Sequence, residues 1–147
     1  MVGLGDMLRI PDNTFAECPN LSYVEYNKTY LDYIGINAFK GCSKLVNIDL
    51  SLVEDIESGA FSGCSSLDFS SLPGTHIIGA NAFEGCTSLT SINLGEYLDE
   101  VGENAFKDCV NLENVTFSPT SITFGENIFD GCNSLKWLKF RGYTYTM

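Results

Sequence analysis

Apolar residues recur along this chain in a fixed phase. Leu21, Leu45, Leu67, Leu89, Leu112 and Leu135 each stand three residues after a cysteine, and each cysteine, Cys18, Cys42, Cys64, Cys86, Cys109 and Cys132, stands three after a phenylalanine. The interval is 22 to 24 residues, too short for two-helix repeats of about 33 to 45. Six residues after the cysteine come Val24, Ile48, Ser70, Ile92, Val115 and Leu138, and eight after it Tyr26, Leu50, Leu72, Leu94, Phe117 and Phe140. An apolar pair two apart is period-two alternation, which predicts a short strand with those positions inward and their neighbours in solvent.

A second apolar segment precedes each phenylalanine by five residues: Ile10, Ile34, Ile56, Ile78, Val101 and Phe124, with Leu31, Val53 and Leu98 three residues earlier still. Between this segment and the cysteine the chain reads G-x-N-A-F-x-G-C, which predicts a corner. Gly35, Gly79, Gly102 and Gly125 are expected to supply the positive φ of a tight turn. Asn13, Asn37, Asn81, Asn104 and Asn127 are expected to cap a single helical turn that Gly41, Gly63, Gly85 and Gly131 end in the left-handed conformation. Length varies only after the strand, so the insertions mark one loop edge. One such coil cannot enclose a core, and neighbours must stack as a repeat solenoid of about six coils.

The whole chain, 1–147, thus reads as a single solenoid: 1–9 a partial first coil, 10–140 the repeats, 141–147 a terminal strand or tail. The alternating Tyr143-Thr144-Tyr145-Thr146 suits a last strand, and the lack of a polar cap points to a fragment of a longer protein.

The unit I-G-x-N-A-F-x-G-C-x-S-L-x-x-I-x-L, complete in residues 78–94 apart from conservative choices at the variable sites, resembles the BspA-like leucine-rich repeat family over about residues 10–140. Pro11 and Glu57 at the first glycine, Glu17 and Asp108 at the second, and Ser70 in the core depart from it. The resemblance implies a right-handed leucine-rich-repeat superhelix, mainly short parallel β-strands with one-turn helical corners. It also implies surface proteins of mucosal bacteria and protozoan parasites that bind host proteins or other microbes, with no catalytic residues and no cofactor to carry over.

A formal charge of −11, from 8 Lys+Arg against 19 Asp+Glu, repels phosphate backbones and anionic bilayers. No apolar run reaches the roughly 18 residues of a membrane span, and Met1–Ile10 lacks the basic start and apolar stretch of a signal peptide. The cysteines, one per repeat and in phase, are expected as buried free thiols, because stacked side chains run parallel and cannot turn toward each other. No C-x-x-C suggests zinc. His76 is the single histidine and reads as a surface residue; a pocket gathering it with a carboxylate and a hydroxyl would favour an enzyme. The acidic clusters 54–57 and 96–103 read as solvated edges rather than calcium loops. Three Asn-x-Ser/Thr triplets begin at Asn20, Asn27 and Asn114, with Asn27 in the longest loop.

The expected function is therefore a non-catalytic protein-binding module of a cell-surface or secreted protein, serving adhesion or host-protein recognition, and the alternative is an intracellular leucine-rich-repeat scaffold. The partner would be another protein, a host extracellular or cell-surface protein among the candidates, with no nucleic acid and no membrane insertion by this segment; end-to-end self-association also remains open. Strand parity supplies the candidate face: Tyr23, Asn47, Phe69, Ser91, Asn114 and Trp137 in one outward column, Glu25, Asp49, Ser71, Asn93, Thr116 and Lys139 in the other. Phe69 carries a second option, since Ser70 occupies an inward slot and a bulge would turn Phe69 in and Ser70 out. Trp137, beside Lys136, Lys139 and Arg141, is read either as the anchor of that face or as a side chain that covers an end coil.

Overall fold

The two apolar segments of each repeat become two walls of a stack. A computed structural model describes residues 8–26 and 31–140 and the backbone of 143–146. The start of the partial first coil, the loop bearing Asn27, and Arg141 lie outside the described residues. The segments that lead into the corners form β1 (Leu8–Ile10), β2 (Leu31–Ile34), β3 (Asp55–Ile56), β5 (Ile77–Ile78), β7 (Glu100–Val101) and β9 (Thr123–Phe124), a parallel six-stranded sheet in that order. The L-x-x-I-x-L segments form β4 (Ser71–Leu72), β6 (Ser91–Leu94), β8 (Asn114–Phe117) and β10 (Trp137–Phe140), also parallel, and β11 (Tyr143–Thr146) closes on β10 antiparallel. The chain is a parallel-strand β-solenoid of about six turns, as the repeat count predicts.

Side-chain ladders fill the space between the walls. The rings of Phe15, Phe39, Phe61, Phe83, Phe106 and Phe129 stack with centroids 5.2 to 5.9 Å apart and planes within 17° of parallel. That separation is slightly more than the strand spacing of about 4.8 Å, as expected for offset rings carried one per coil. Ile34, Ile56, Ile78 and Val101 are wholly buried, as are Leu45, Leu67, Leu89 and Leu112, and each such side chain contributes roughly 1.5 to 3 kcal/mol in transfer terms. Phe124 departs from its ladder: on the edge strand β9 it is 41% exposed, its ring 5.3 Å from Phe117 edge-on.

The corners differ from the expectation, and the reason lies in where their amides point. No helix occurs among the described residues. In the second coil Asn37, Phe39 and Gly41 donate their N–H groups to Ser58, Ala60 and Ser62 of the next coil at 2.8 to 3.0 Å, while the alternate amides close four-residue turns within the coil, Ala38 to Gly35, Lys40 to Asn37 and Cys42 to Phe39. Sending every second N–H along the stack is incompatible with the i to i−4 bonding of a helix. It requires left-handed residues at two points. Asn13, Asn37, Asn81, Asn104 and Asn127 have φ of 54 to 57°, so they are the turn residues themselves and not helix caps; asparagine tolerates that region better than other side chains, and Gly59 takes the same place in the third coil. Gly41, Gly63, Gly85 and Gly131 are left-handed as expected, φ 71 to 77°, and Glu17 and Asp108 adopt the same conformation without glycine's freedom.

Gly35, Gly79, Gly102 and Gly125 serve a different purpose from the expected one. None has a positive φ; a Cβ added at Gly79 would lie 2.4 Å from Ser58 N, and one at Gly102 2.4 Å from Ala80 N. They are glycine because the preceding coil's backbone passes too close for any side chain.

Candidate functional site

The outward face of the five-stranded sheet is built by strand parity, and its regularity changes along the stack. From β6 to β10 the ladder is complete: Ser91, Ile92, Asn93 and Leu94 pair with Asn114, Val115, Thr116 and Phe117, which pair in turn with Trp137 to Phe140. Ile92 and Leu94 are buried and Ser91 and Asn93 exposed. Asn114 and Thr116 are half-buried, and Asn114 Nδ2 donates to Ser91 Oγ at 3.2 Å, tying adjacent coils. Trp137 and Lys139 are half-buried on β10, whose outer edge β11 covers. The neighbouring Lys136 Nζ sits 2.8 Å from Glu113 Oε2, so part of the basic tip is neutralised by the previous coil.

Toward the first coils the face loosens. Tyr23 is 66% exposed, Glu25 and Asn47 are exposed, and Asp49 is half-buried, its carboxylate accepting from Ser51 N at 3.0 Å. The Tyr26 hydroxyl donates to the Asp49 carbonyl one coil on. Burial, and then the Asp49 carboxylate, push the Tyr26 phenol up to about 12, so it stays a neutral donor throughout the physiological range. Phe69 leaves the outward column: it is half-buried against the core with its ring 5.1 Å from Phe83, and Ser70 is exposed. Burying a phenylalanine gains more than burying a serine hydroxyl, so the bulged option wins. Two clefts follow, about 240 Å³ between the first and second coils and about 330 Å³ between the second and third. They share Asn47, Ile48 and Asp49.

The loop edge brings together the groups that would favour an enzyme. His76 Nδ1 lies 3.1 Å from Asp99 Oδ2, the Tyr97 ring is 5.8 Å from the imidazole, and a cleft of about 270 Å³ places His76 beside Ser51 and Glu54. The arrangement stops short of a nucleophile and its base. Ser51 makes no hydrogen bond to His76 among the described residues, and the side chains of His76 and Asp99 are 43% and 74% exposed. A contact so open to water orients its imidazole weakly.

All six cysteines are unbridged. Five are buried and Cys18, on the first coil, is exposed, so the expectation of six buried thiols fails there. The thiols are also not merely small apolar fillers. Cys42, Cys64, Cys86, Cys109 and Cys132 each direct Sγ to the carbonyl of the phenylalanine one coil back, Phe15, Phe39, Phe61, Phe83 and Phe106, at 3.0 to 3.3 Å. Burial, with a smaller effect of Cys42, pushes the Cys64 thiol up to about 12, and burial likewise raises Cys86 well above the ordinary thiol range. Among the described residues no group of three or more His, Cys, Asp or Glu side chains is placed to hold a metal ion, and no helix is long and apolar enough to cross a membrane.

Comparison with known proteins adds a lineage to this geometry. A family model described as BspA type Leucine rich repeat region (6 copies) matches residues 54–146. A leucine rich cell surface protein of Faecalibacterium prausnitzii A2-165 superposes with a TM-score of 0.79 at 28% identity over 91% of this chain. The chain spans 38% of that protein's length. A leucine rich repeat protein of T. pallidum gives a TM-score of 0.73 at 27% identity, covering 87% of this chain and 71% of its own. No curated protein matches the chain.

Proposed function

The chain belongs to the BspA-type leucine-rich repeat family, and on that premise we propose that it is a non-catalytic protein-binding module of a cell-surface or secreted protein, acting in adhesion or host-protein recognition through the outward face of the wall formed by its five-stranded sheet and the two coils before it. The fold is consistent with a protein-interaction module. The observation that carries the reading is the composition of that face: Tyr23, Glu25, Asn47, Asp49, Ser91, Asn93, Asn114, Thr116, Trp137 and Lys139 stand in two stacked columns, exposed or half-exposed. Aromatic anchors separated by short polar side chains, held by a rigid ladder, offer contact area at little cost in conformational entropy. The surface location is supported by the similarity to a protein described as a cell surface protein. Phe69, turned inward, belongs to the support of the face and not to its contacts.

Immobilised chain exposed to surface extract of host epithelial cells tests the proposal. A specific protein should be retained, and Asn47→Arg or Asn93→Arg, each confirmed folded by circular dichroism, should release it, while Lys40→Ala on a corner should not. Retention indifferent to both face variants, or no retained protein, would overturn the assignment.

A further inference from the structure

On the loop edge, one coil lacks a side chain where its two neighbours carry large ones. The loops after the L-x-x-I-x-L segments turn on residue pairs, Ser51-Leu52 in the second coil, Pro73-Gly74 in the third and Glu96-Tyr97 in the fourth. Leu52 and Tyr97 are 53% and 60% exposed, and Gly74 stands between them along the stack. Its place is open: a Cβ added there would have Ser51 O, at 3.5 Å, as its nearest atom. The gap is the cleft of about 270 Å³ lined by Ser51, Leu52, Glu54, Gly74, His76 and Tyr97. Coils two apart are separated by roughly 10 Å at the strand spacing. The cleft is smaller than the roughly 300 to 1,000 Å³ of small-molecule pockets, and its size suits a single side chain.

The walls of this slot differ in chemistry. Leu52 makes one of them aliphatic. The Tyr97 ring and the His76 imidazole, 5.8 Å apart with planes at 30°, make the other aromatic. Glu54 lines the slot with an exposed carboxylate that has no ion pair among the described residues. Asp99 is not available in the same way, because His76 Nδ1 already holds it. The loops of the second to fifth coils, 51–54, 73–76, 95–100 and 118–123, contain no lysine or arginine, while Glu96 and Glu100 are exposed. That field repels an anion, and covering Glu54 with a purely apolar group would bury its charge unpaired. A cation removes both penalties. Arginine fits better than lysine, since a planar guanidinium stacks on an aromatic face and gives a carboxylate two parallel N–H donors, whereas an ammonium is a strongly hydrated point charge.

We propose that this slot is a docking site for one exposed arginine side chain of a partner protein, a second contact surface that lies on the loop edge and does not depend on the outward face. The guanidinium lies between Leu52 and the aromatic wall and pairs with Glu54. Gly74 opens the site, and the unpaired charge beside it selects the occupant.

The probe is an acetylated, amidated pentapeptide with a single arginine flanked by glycines, titrated to millimolar concentration into the ¹⁵N-labelled chain and followed by NMR. The amides of Leu52, Gly74, His76 and Tyr97 should shift. The citrulline counterpart keeps the shape and loses the charge, so it should bind about tenfold or more weakly, and the lysine peptide about threefold or more weakly. Glu54→Gln, which removes one charge from a net −11, and Tyr97→Ala should each weaken arginine binding by about fivefold or more. Both change exposed side chains. Gly74→Leu, which fills the slot, should abolish binding, with circular dichroism confirming that each variant is folded. Asn47→Arg and Asn93→Arg on the outward face should leave it unchanged, which separates the two surfaces. Equal binding of the citrulline or lysine peptide, indifference to Glu54→Gln, shifts centred away from the slot, or no binding would overturn the proposal.

Discussion

The same six repeats make two sheets, and only one is continuous. The six-stranded sheet runs through every coil on strands mostly two residues long, whereas the five-stranded sheet uses four-residue strands everywhere but at β4, yet begins only at the third coil. Strand length is therefore not what secures the stack. Four of the six short strands are followed at once by a glycine against the neighbouring backbone, and each of the first five corners gives three amides to the next coil, so a slip of register would break every one of them. The longer strands end in the loop whose length varies, and a single inverted pair, Phe69 and Ser70, is enough to open the ladder. A repeat protein is rigid where its corners are bonded and adaptable where its loops are free.

The largest effect should come from the ladder both sheets share. Phe83→Ala, in the middle of the stack and beneath Phe69, should cost about 3 to 5 kcal/mol in denaturant melts. Phe15→Ala, half-buried at the first coil, should cost clearly less, and equal losses would mean that the stack is not built from nearest-neighbour contacts.

A methyl group distinguishes the sheets directly. Gly79→Ala places a Cβ 2.4 Å from Ser58 N in the continuous sheet and should destabilise by about 1 to 3 kcal/mol. At Gly74, in the variable loop after β4, the nearest atom to an added Cβ is Ser51 O at 3.5 Å, so Gly74→Ala should be neutral to within about 0.5 kcal/mol. Comparable losses at the two glycines would remove the distinction drawn between corner and loop.

Smaller still in stability is the repair of the break. The double variant Phe69→Asn, Ser70→Ile copies the Asn47-Ile48 pair of the second coil and should restore parity. The ring contact with Phe83 is exchanged for a buried isoleucine, so the net change should stay within about 1 kcal/mol. Hydrogen exchange should then show new protection at Ser71. Unchanged exchange at Ser71 would place the cause of the break elsewhere.

Thiol chemistry probes the interior between the sheets without any substitution. Near pH 8 one cysteine, Cys18, should react with an aromatic disulfide reagent in the folded chain and the other five only in denaturant. Because burial favours the neutral Cys64 thiol, the folded state holds its proton more tightly than the unfolded one. Its contribution is intact below the ordinary thiol value of 9.0 and is lost as pH rises from there toward about 12, so melting temperatures should fall across that window.

Much of this was legible in the chain itself. The phase of leucine, phenylalanine and cysteine determined the coil length, the buried ladders and the inward parity of the strands, because a core shared by stacked neighbours punishes any residue out of phase. The presence of Asn13 to Asn127 and of the paired glycines marked the corners, but their conformations were decided in three dimensions: a left-handed asparagine, and a glycine required by its neighbour's backbone rather than by its own φ, follow from where the amides of the next coil lie. The thiol-to-carbonyl bonds, the antiparallel closure by β11 and the neighbourhood of His76 with Asp99 likewise join residues from different coils, which spacing alone does not orient. At Phe69 and Ser70 the sequence left two arrangements open, and tertiary packing selected one, since only the folded stack offers the space beside Phe83 that makes burying the ring worth the loss of a strand pairing.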